Sequence, residues 1–287
     1  MSEPIGPLLT LKVHQAMLAA RRAGAATVCC SLDLDRSTAT IGLHDDGWSV
    51  NGRVFPLLQR CKDRTIYHWV DDGFQPLARF TCSLIKLVPT QWGAPTFEID
   101  GIKMLPTSRV SPYADAKIKV GLIAPRGKLI LDTCGGLGYF AAWCLRGEAL
   151  HVDSYEINPD VIWLRSLNPW SPDNRESAAT AGSLTLTRAD IAERITALQR
   201  DSVDAILHDP PRFGIAGELY SQAFYNQMAR VLKRRGKLFH YTGTPNKLSS
   251  GRDVPNEVAT RLRQAGFAVD LHGDGVLALK TGKGSAN

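Results

Sequence analysis

The stretch Asp132-Thr133-Cys134-Gly135-Gly136-Leu137-Gly138 constrains this chain more than any other. It follows Lys128-Leu129-Ile130-Leu131 and leads into Tyr139-Phe140-Ala141-Ala142-Trp143. That order reads as a strand, a tight glycine turn and a helix. Glycine has no Cβ and reaches positive φ, so such a turn lets the backbone close around a ligand. Two further elements follow at suitable distances: Ser154-Tyr155-Glu156-Ile157-Asn158 and Ile206-Leu207-His208-Asp209-Pro210-Pro211-Arg212-Phe213.

From about residue 113 strand and helix signals alternate, as a parallel sheet with crossover helices requires. Strands are expected at 128–133, 150–156, 184–189, 203–208, 236–241, 267–272 and 275–280. Helices are expected near 137–147, 159–167, 190–199, 217–233 and 255–265. Asn158-Pro159 and Asp253-Val254-Pro255 place a capping side chain and a proline at helix starts. Only Gly273-Asp274 separates the last two strands, too short for a helical crossover, so they must run antiparallel. The expected fold is α/β: a seven-stranded, doubly wound, Rossmann-like sheet with an antiparallel last strand.

The N-terminal part has a different texture. Residues 7–23 read as a short helix that stops at Gly24. From Thr27 to about Thr107 apolar and polar residues alternate between turn signals at Asp45-Asp46-Gly47, Asn51-Gly52 and Asp71-Asp72-Gly73. Pro89, Pro95 and Pro106 then break the chain, and Ser111-Pro112 sits near the boundary. Two domains are expected: a small β-rich domain with a leading helix over 1–110, and the α/β domain over 111–287. The tail from Gly282 to Asn287 is expected to fray. No apolar run reaches the ~20 residues of a membrane helix. The N-terminus lacks a basic segment followed by an apolar core, and the six cysteines show no C-x-x-C spacing. A reduced, cytoplasmic protein without structural metal is expected.

In open α/β sheets ligands bind beyond the carboxyl ends of the strands, where strand order reverses. Asp132 closes the first strand of the α/β domain, and Gly136 and Gly138 allow close backbone approach. Glu156 closes the second, where a carboxylate suits two ribose hydroxyls. Asp190 follows the third and suits an adenine amino group. Any one of these acids alone reads as a helix cap or a solvated turn residue. Three at consecutive strand ends, with the glycines, read as a nucleoside site. Gly136-Leu137-Gly138-Tyr139-Phe140-Ala141 also fits the dinucleotide pattern, with an acid about 20 residues on. Against that reading, Asp132 would repel a pyrophosphate, and Asp209-Pro210-Pro211 would be left without a role.

Asp209 ends the fourth strand, beside the second half of the crevice. Two prolines fix the backbone and remove two N–H groups, leaving carbonyls to accept hydrogen bonds. Asp209, Pro210, Arg212 and Phe213 form the expected catalytic corner, a clamp for an amine or a base edge. His208, His240 and Tyr241 lie near strand ends as candidates for a pocket wall, although a strand histidine is more often packed structure. Cys134 packs against the ligand or acts as a nucleophile, with packing preferred. Lys233-Arg234-Arg235 is expected to follow a helix and complement its dipole. Trp48, Tyr67, Trp69, Phe74 and Trp92 either stack bases or form the small domain's core.

These blocks resemble the class I S-adenosylmethionine-dependent methyltransferases, whose sheet also ends in an antiparallel hairpin. Over nearly its whole length the chain is similar to a family of such methyltransferases found mainly in archaea. The likeness runs through Pro95 to Met104, Leu131 to Tyr139, Leu167 to Ser171, His208 to Phe213 with its Asp-Pro-Pro-Arg-Phe motif, and Phe239 to Gly243. Glu218 to Ser221 and Gly251-Arg252-Asp253 belong to the same pattern. The resemblance implies S-adenosylmethionine as methyl donor, held by Asp132, Cys134, Gly136, Gly138, Glu156, Asp190 and Asp209. The family in turn looks like a relative of the spermidine synthases, which also place a small β domain first. Those enzymes have a second acid three residues after the one matching Asp209. Here Arg212 stands there, a fixed cation that repels a polyamine and suits an anionic acceptor.

The expected function is therefore methyl transfer to a nucleophilic nitrogen or carbon, on an RNA base and in tRNA above all. The net charge of +6 and Arg212 support it. The alternative acceptors are a small-molecule amine or, through aminopropyl transfer, a polyamine. A cofactor-binding regulatory protein without turnover is the alternative class. RNA is the expected partner, with no membrane, and a homodimer is the candidate assembly.

Overall fold

The computed structural model describes residues 6–172, 182–243 and 253–281. Gly251-Arg252 and the tail from Gly282 lie outside the described residues. The chain divides into two compact units, residues 1–115 with 166–170 and residues 116–165 with 171–287.

The first unit is built from short antiparallel strands and one helix. In chain order these are β1 (Leu8–Leu9), α1 (Leu11–Arg22), β2 (Thr27–Cys30), β3 (Ala39–Leu43), β4 (Gly47–Val50), β5 (Arg53–Pro56), β6 (Tyr67–Val70), β7 (Gly73–Pro76), β8 (Ala78–Phe80), β9 (Leu84–Val88), β10 (Thr96–Ile99) and β11 (Ile102–Lys103). They form three sheets, ordered β1-β6-β7, β2-β3-β4-β5 and β11-β10-β9-β8. The helix begins at Leu11 rather than residue 7, because Thr10 caps it and Leu8–Leu9 pair with His68 and Tyr67. Val13 and Met17 of α1 pack against Trp48, Phe55 and Tyr67. Trp48 is fully buried and stacks on Phe55 with ring centroids 4.6 Å apart, and Trp69 meets Phe74 edge-on at 5.0 Å. These rings form the core of the unit. Trp92 is exposed and donates to the Thr107 carbonyl.

The Pro95–Met104 block has a structural use here. Asp100 and Gly101, both at positive φ, turn β10 into β11. Glu98 is 2% exposed, and Arg64 and Lys86 neutralise it. A buried carboxylate without such partners would be strongly destabilising.

α2 (Pro112–Ile123) begins in the first unit and ends in the second. There follow β12 (Leu129–Asp132), α3 (Tyr139–Arg146), β13 (His151–Glu156), α4 (Pro159–Leu167), β14 (Ser183–Arg188), α5 (Ile191–Arg194), β15 (Val203–His208), α6 (Gln222–Val231), β16 (Leu232–Tyr241), α7 (Val254–Gln264), β17 (Phe267–His272) and β18 (Gly275–Lys280). The seven strands are ordered β14-β13-β12-β15-β16-β18-β17. All pair in parallel except β18, which runs antiparallel to β16 and β17. The expected fold class is the one found. Leu131, Ile206 and Leu238 of the sheet pack with Phe224, Tyr225 and Met228 of α6 and Val258 and Leu262 of α7.

Two expected helices are shorter than anticipated. The 190–199 segment is α5 followed by one 3₁₀ turn, Ile195–Ala197. The 217–233 segment breaks at Ser221, whose hydroxyl caps α6 by accepting from the Phe224 N–H at 3.1 Å. Because α6 ends at Val231, Lys233-Arg234-Arg235 lie within β16, and Lys233 pairs with Asp204 at 2.8 Å instead of serving a helix end. Among the described residues no helix is long and apolar enough to cross a membrane. Strand order reverses between β12 and β15, so their carboxyl ends frame the crevice of this sheet.

Candidate active site

β12 ends at Asp132, and residues 133–138 turn the chain into α3. Gly136 and Gly138 take positive φ values of 48° and 79°. The Gly135 N–H donates to the Tyr155 carbonyl, and the Gly138 N–H to that of Gly135, each at 2.7 Å. A buried polar network lies against this turn. Asp132 and Ser154 have no exposed surface, and Arg165 of α4 is 5% exposed. The Ser154 hydroxyl donates to Asp132 Oδ2 at 2.8 Å and accepts from Arg165 Nη1 at 3.2 Å. A Cβ on Gly138 would lie 2.5 Å from Arg165 Cζ, and one on Gly135 would lie 2.4 Å from Ser154 Oγ. The close approach that Gly138 permits is that of the Arg165 guanidinium.

Glu156, half-buried at the end of β13, accepts the Gly136 N–H at 3.0 Å on Oε2 and the Asn158 N–H at 2.9 Å on Oε1. Each oxygen keeps a further lone pair. Burial pushes this carboxyl up, while the Asn158, Gly136 and Ile157 N–H groups and Arg165 oppose the shift. Burial also pushes Asp132 up to about 6, against Ser154 and Arg165. Asp132 Oδ1 and Arg165 Nη2 are buried without a hydrogen-bond partner. Asp190 caps α5, accepting the Ala192 N–H at 2.8 Å. It lies two residues beyond Arg188, which pairs with Glu156 in the sheet.

At the end of β15, Asp209 is half-buried, Pro210 buried and Arg212 exposed. Phe213 meets Tyr220 edge-on, ring centroids 5.4 Å apart. The Pro211 carbonyl, expected to be open, accepts the Tyr220 hydroxyl at 3.0 Å. The Arg212 carbonyl accepts from the Ile215 and Ala216 N–H groups, closing a tight loop. Burial, then the nearby Asp209, Cys134 and Tyr241, push the Tyr220 hydroxyl up. Burial, then the Glu156 carboxylate, raise the Cys134 thiol well above its ordinary value. At neutral pH Cys134 is a thiol and a poor nucleophile.

His208 and His240 are fully buried, with rings 4.4 Å apart. Thr133 and the Leu219 carbonyl occupy the two nitrogens of His208; Tyr225 and the Tyr241 carbonyl occupy those of His240. They are structural residues, not a pocket wall.

The structure thus joins Asp132, Gly136, Gly138 and Glu156 in one packed unit, with Cys134 and Asp209 within electrostatic reach. Asp190, beyond the end of β14, caps α5. Sequence reasoning missed Ser154 and Arg165. The available signal was an arginine in the buried stripe of α4, beside Val161 and Leu164.

A sheet in this strand order, with a glycine turn and strand-end acids at its switch point, defines the S-adenosylmethionine methyltransferase class of fold. The family model described as S-adenosyl-L-methionine-dependent methyltransferase matches residues 166–270. The uncharacterized protein MJ1233 of Methanocaldococcus jannaschii is 38% identical over 216 residues, 74% of this chain and 72% of that protein. The chain belongs to the family of that relative, a family of S-adenosyl-L-methionine-dependent methyltransferases, and S-adenosyl-L-methionine is its cofactor. Among solved structures, spermidine synthase in complex with the transition-state analogue AdoDATO matches 72% of this chain and 76% of its own, at a TM-score of 0.56 and 17% identity. Spermidine synthase from Thermotoga maritima covers 73% and 76%, at 0.53 and 16%. At these identities the likeness is one of fold.

Proposed function

We propose that this protein transfers the methyl group of S-adenosylmethionine to a nucleophilic nitrogen or carbon of an RNA base, in tRNA above all. The observation that carries the proposal is the exposed Arg212 cation, three residues past the half-buried Asp209 and next to the Phe213 ring. In this reading Asp209 accepts an N–H of the base and so turns its lone pair toward the crevice. Phe213 supports the plane of the base, and Arg212 meets a backbone phosphate. The small β-rich unit contributes to RNA placement.

The donor set fits the cofactor. Glu156 keeps lone pairs for ribose hydroxyls, and Gly136 has no side chain to block approach. Asp190 serves the adenine, Cys134 packs alongside, and Asp132 and Gly138 act from behind the turn. When bound, S-adenosylmethionine supplies an electrophilic methyl group on a sulfonium. The protein's work is then positioning, and an Asp209 carboxylate held at one strand end suits it. Polyamine transfer is disfavoured, since Arg212 stands where the acceptor's cationic end would lie.

The test is transfer of labelled methyl from S-adenosylmethionine to unmodified tRNA. Nuclease-sensitive label is expected, lost by about 100-fold or more in Asp209→Ala. Arg212→Ala should weaken RNA binding and flatten its salt dependence by about one phosphate contact. RNA left unlabelled by a protein that binds the cofactor, or labelled unchanged by Arg212→Ala, would refute the RNA reading.

A further inference from the structure

Arg165 is nearly fully buried in a helix stripe that also buries Asp160, Val161 and Leu164, a costly place for a cation without partners. Its guanidinium fills the hollow left by the missing side chain of Gly138 and reaches beneath Gly135. It donates to Ser154, which donates in turn to Asp132. The same cation acts electrostatically on Glu156, whose two oxygens already hold the Gly136 and Asn158 N–H groups. Arg165 therefore touches the glycine turn and, through Ser154 of β13, reaches Asp132 at the end of β12. A planar guanidinium can lie flat under a glycine backbone and fork toward more than one acceptor; an ammonium cannot.

We infer that Arg165 is a positioning residue for S-adenosylmethionine, bracing the glycine turn whose Gly136 N–H fixes Glu156 as an acceptor for the ribose hydroxyls. The inference rests on the assignment of Glu156 to the ribose made above. Without Arg165 the hollow beneath Gly135 and Gly138 would be empty and Ser154 would lose a donor, freeing the turn and with it the Gly136 N–H that fixes Glu156.

The experiment is a double-mutant cycle on cofactor affinity, measured by calorimetry with S-adenosylmethionine alone and no acceptor. Glu156→Gln and Arg165→Met are each expected to weaken binding about 10-fold at pH 7, the scale of one charge-assisted hydrogen bond. The double variant should bind no worse than the weaker single one, because Arg165 acts through Glu156. Losses that multiply would overturn the inference, leaving Arg165 as packing.

Arg165→Lys, which keeps the charge but not the planar fork, should recover part of the affinity lost in Arg165→Met. If Arg165→Met does not fold, Arg165→Lys gives the same reading. It should bind several-fold more weakly than wild type, with no further loss when combined with Glu156→Gln, and losses that multiply would overturn the inference. Unchanged affinity in Glu156→Gln alone would instead sink the ribose assignment. The two failures are therefore distinct.

Discussion

The buried histidine pair makes the stability of the second unit sensitive to mild acid, and His240→Gln should measure this. His240 is fully buried and hydrogen-bonded at both nitrogens, and burial holds it down to about 3; burial and His240 hold His208 well below its ordinary value. Both are therefore neutral in the folded protein when the unfolded chain protonates, near pH 6.5. The unfolded state then binds more protons, so stability falls as pH falls. His240 contributes a slope approaching about 1.4 kcal/mol per pH unit, or about 2.3 kcal/mol between pH 6.5 and 4.5, and His208 acts in the same direction. Asp132 works in the opposite sense. Its folded carboxyl, pushed up to about 6, protonates before the unfolded one and returns about 2 kcal/mol over the same range. Glutamine at 240 can donate to the Tyr241 carbonyl and accept from Tyr225 but does not titrate. The variant should be less stable by about 1–3 kcal/mol at pH 7.5, from lost ring packing. Its acid limb should be shallower by about 1.4 kcal/mol per pH unit, so the two curves converge near pH 5. Urea unfolding at stepped pH, followed by circular dichroism and tryptophan fluorescence, reads both. Parallel curves would refute the reasoning, because they would mean that His240 protonates alike in both states.

Two further outcomes follow from the turn. Gly138→Ala combines a left-handed φ of 79° with a Cβ 2.5 Å from the Arg165 guanidinium. It should lose about 2–4 kcal/mol of stability, read as a lowered melting temperature, together with cofactor affinity; wild-type melting would contradict the packing described. Cys134→Ala should keep methyl transfer within about threefold, since burial and Glu156 hold the thiol protonated. Trapping of RNA on Cys134 as a covalent adduct, detected by mass spectrometry, would show the opposite.

The sheet was legible because each strand carries its own apolar run and Gly273-Asp274 leaves room only for a hairpin. The strand-end acids were legible for the same reason, since a strand's end fixes where its next residue lies. Less was visible where one apolar run serves two elements. Val231 ends α6 and Leu232 starts β16 without a break, so Lys233-Arg234-Arg235 read as a helix end. The interruption of the 217–233 helix depends on the Ser221 hydroxyl turning back to cap α6, a local competition that periodicity does not register. Arg165 was invisible as a site residue, because burial of a charge is decided by tertiary partners on β12 and β13.

The glycines of the turn divide by task. Gly136, half-buried at a positive φ of 48°, holds Glu156 in place through its N–H. Gly138 is buried, and its lack of a side chain matters on the side where Arg165 lies. Gly135 likewise leaves room for Ser154. The missing side chains at 135 and 138 therefore make room for the polar groups that support the turn, while the N–H at 136 fixes Glu156. Such support is useful because a side chain behind the turn can fix the backbone that positions a strand-end carboxylate without occupying the ligand's space. The glycines at 135 and 138, Ser154 and Arg165 form one device, and its parts lie up to thirty residues apart in sequence.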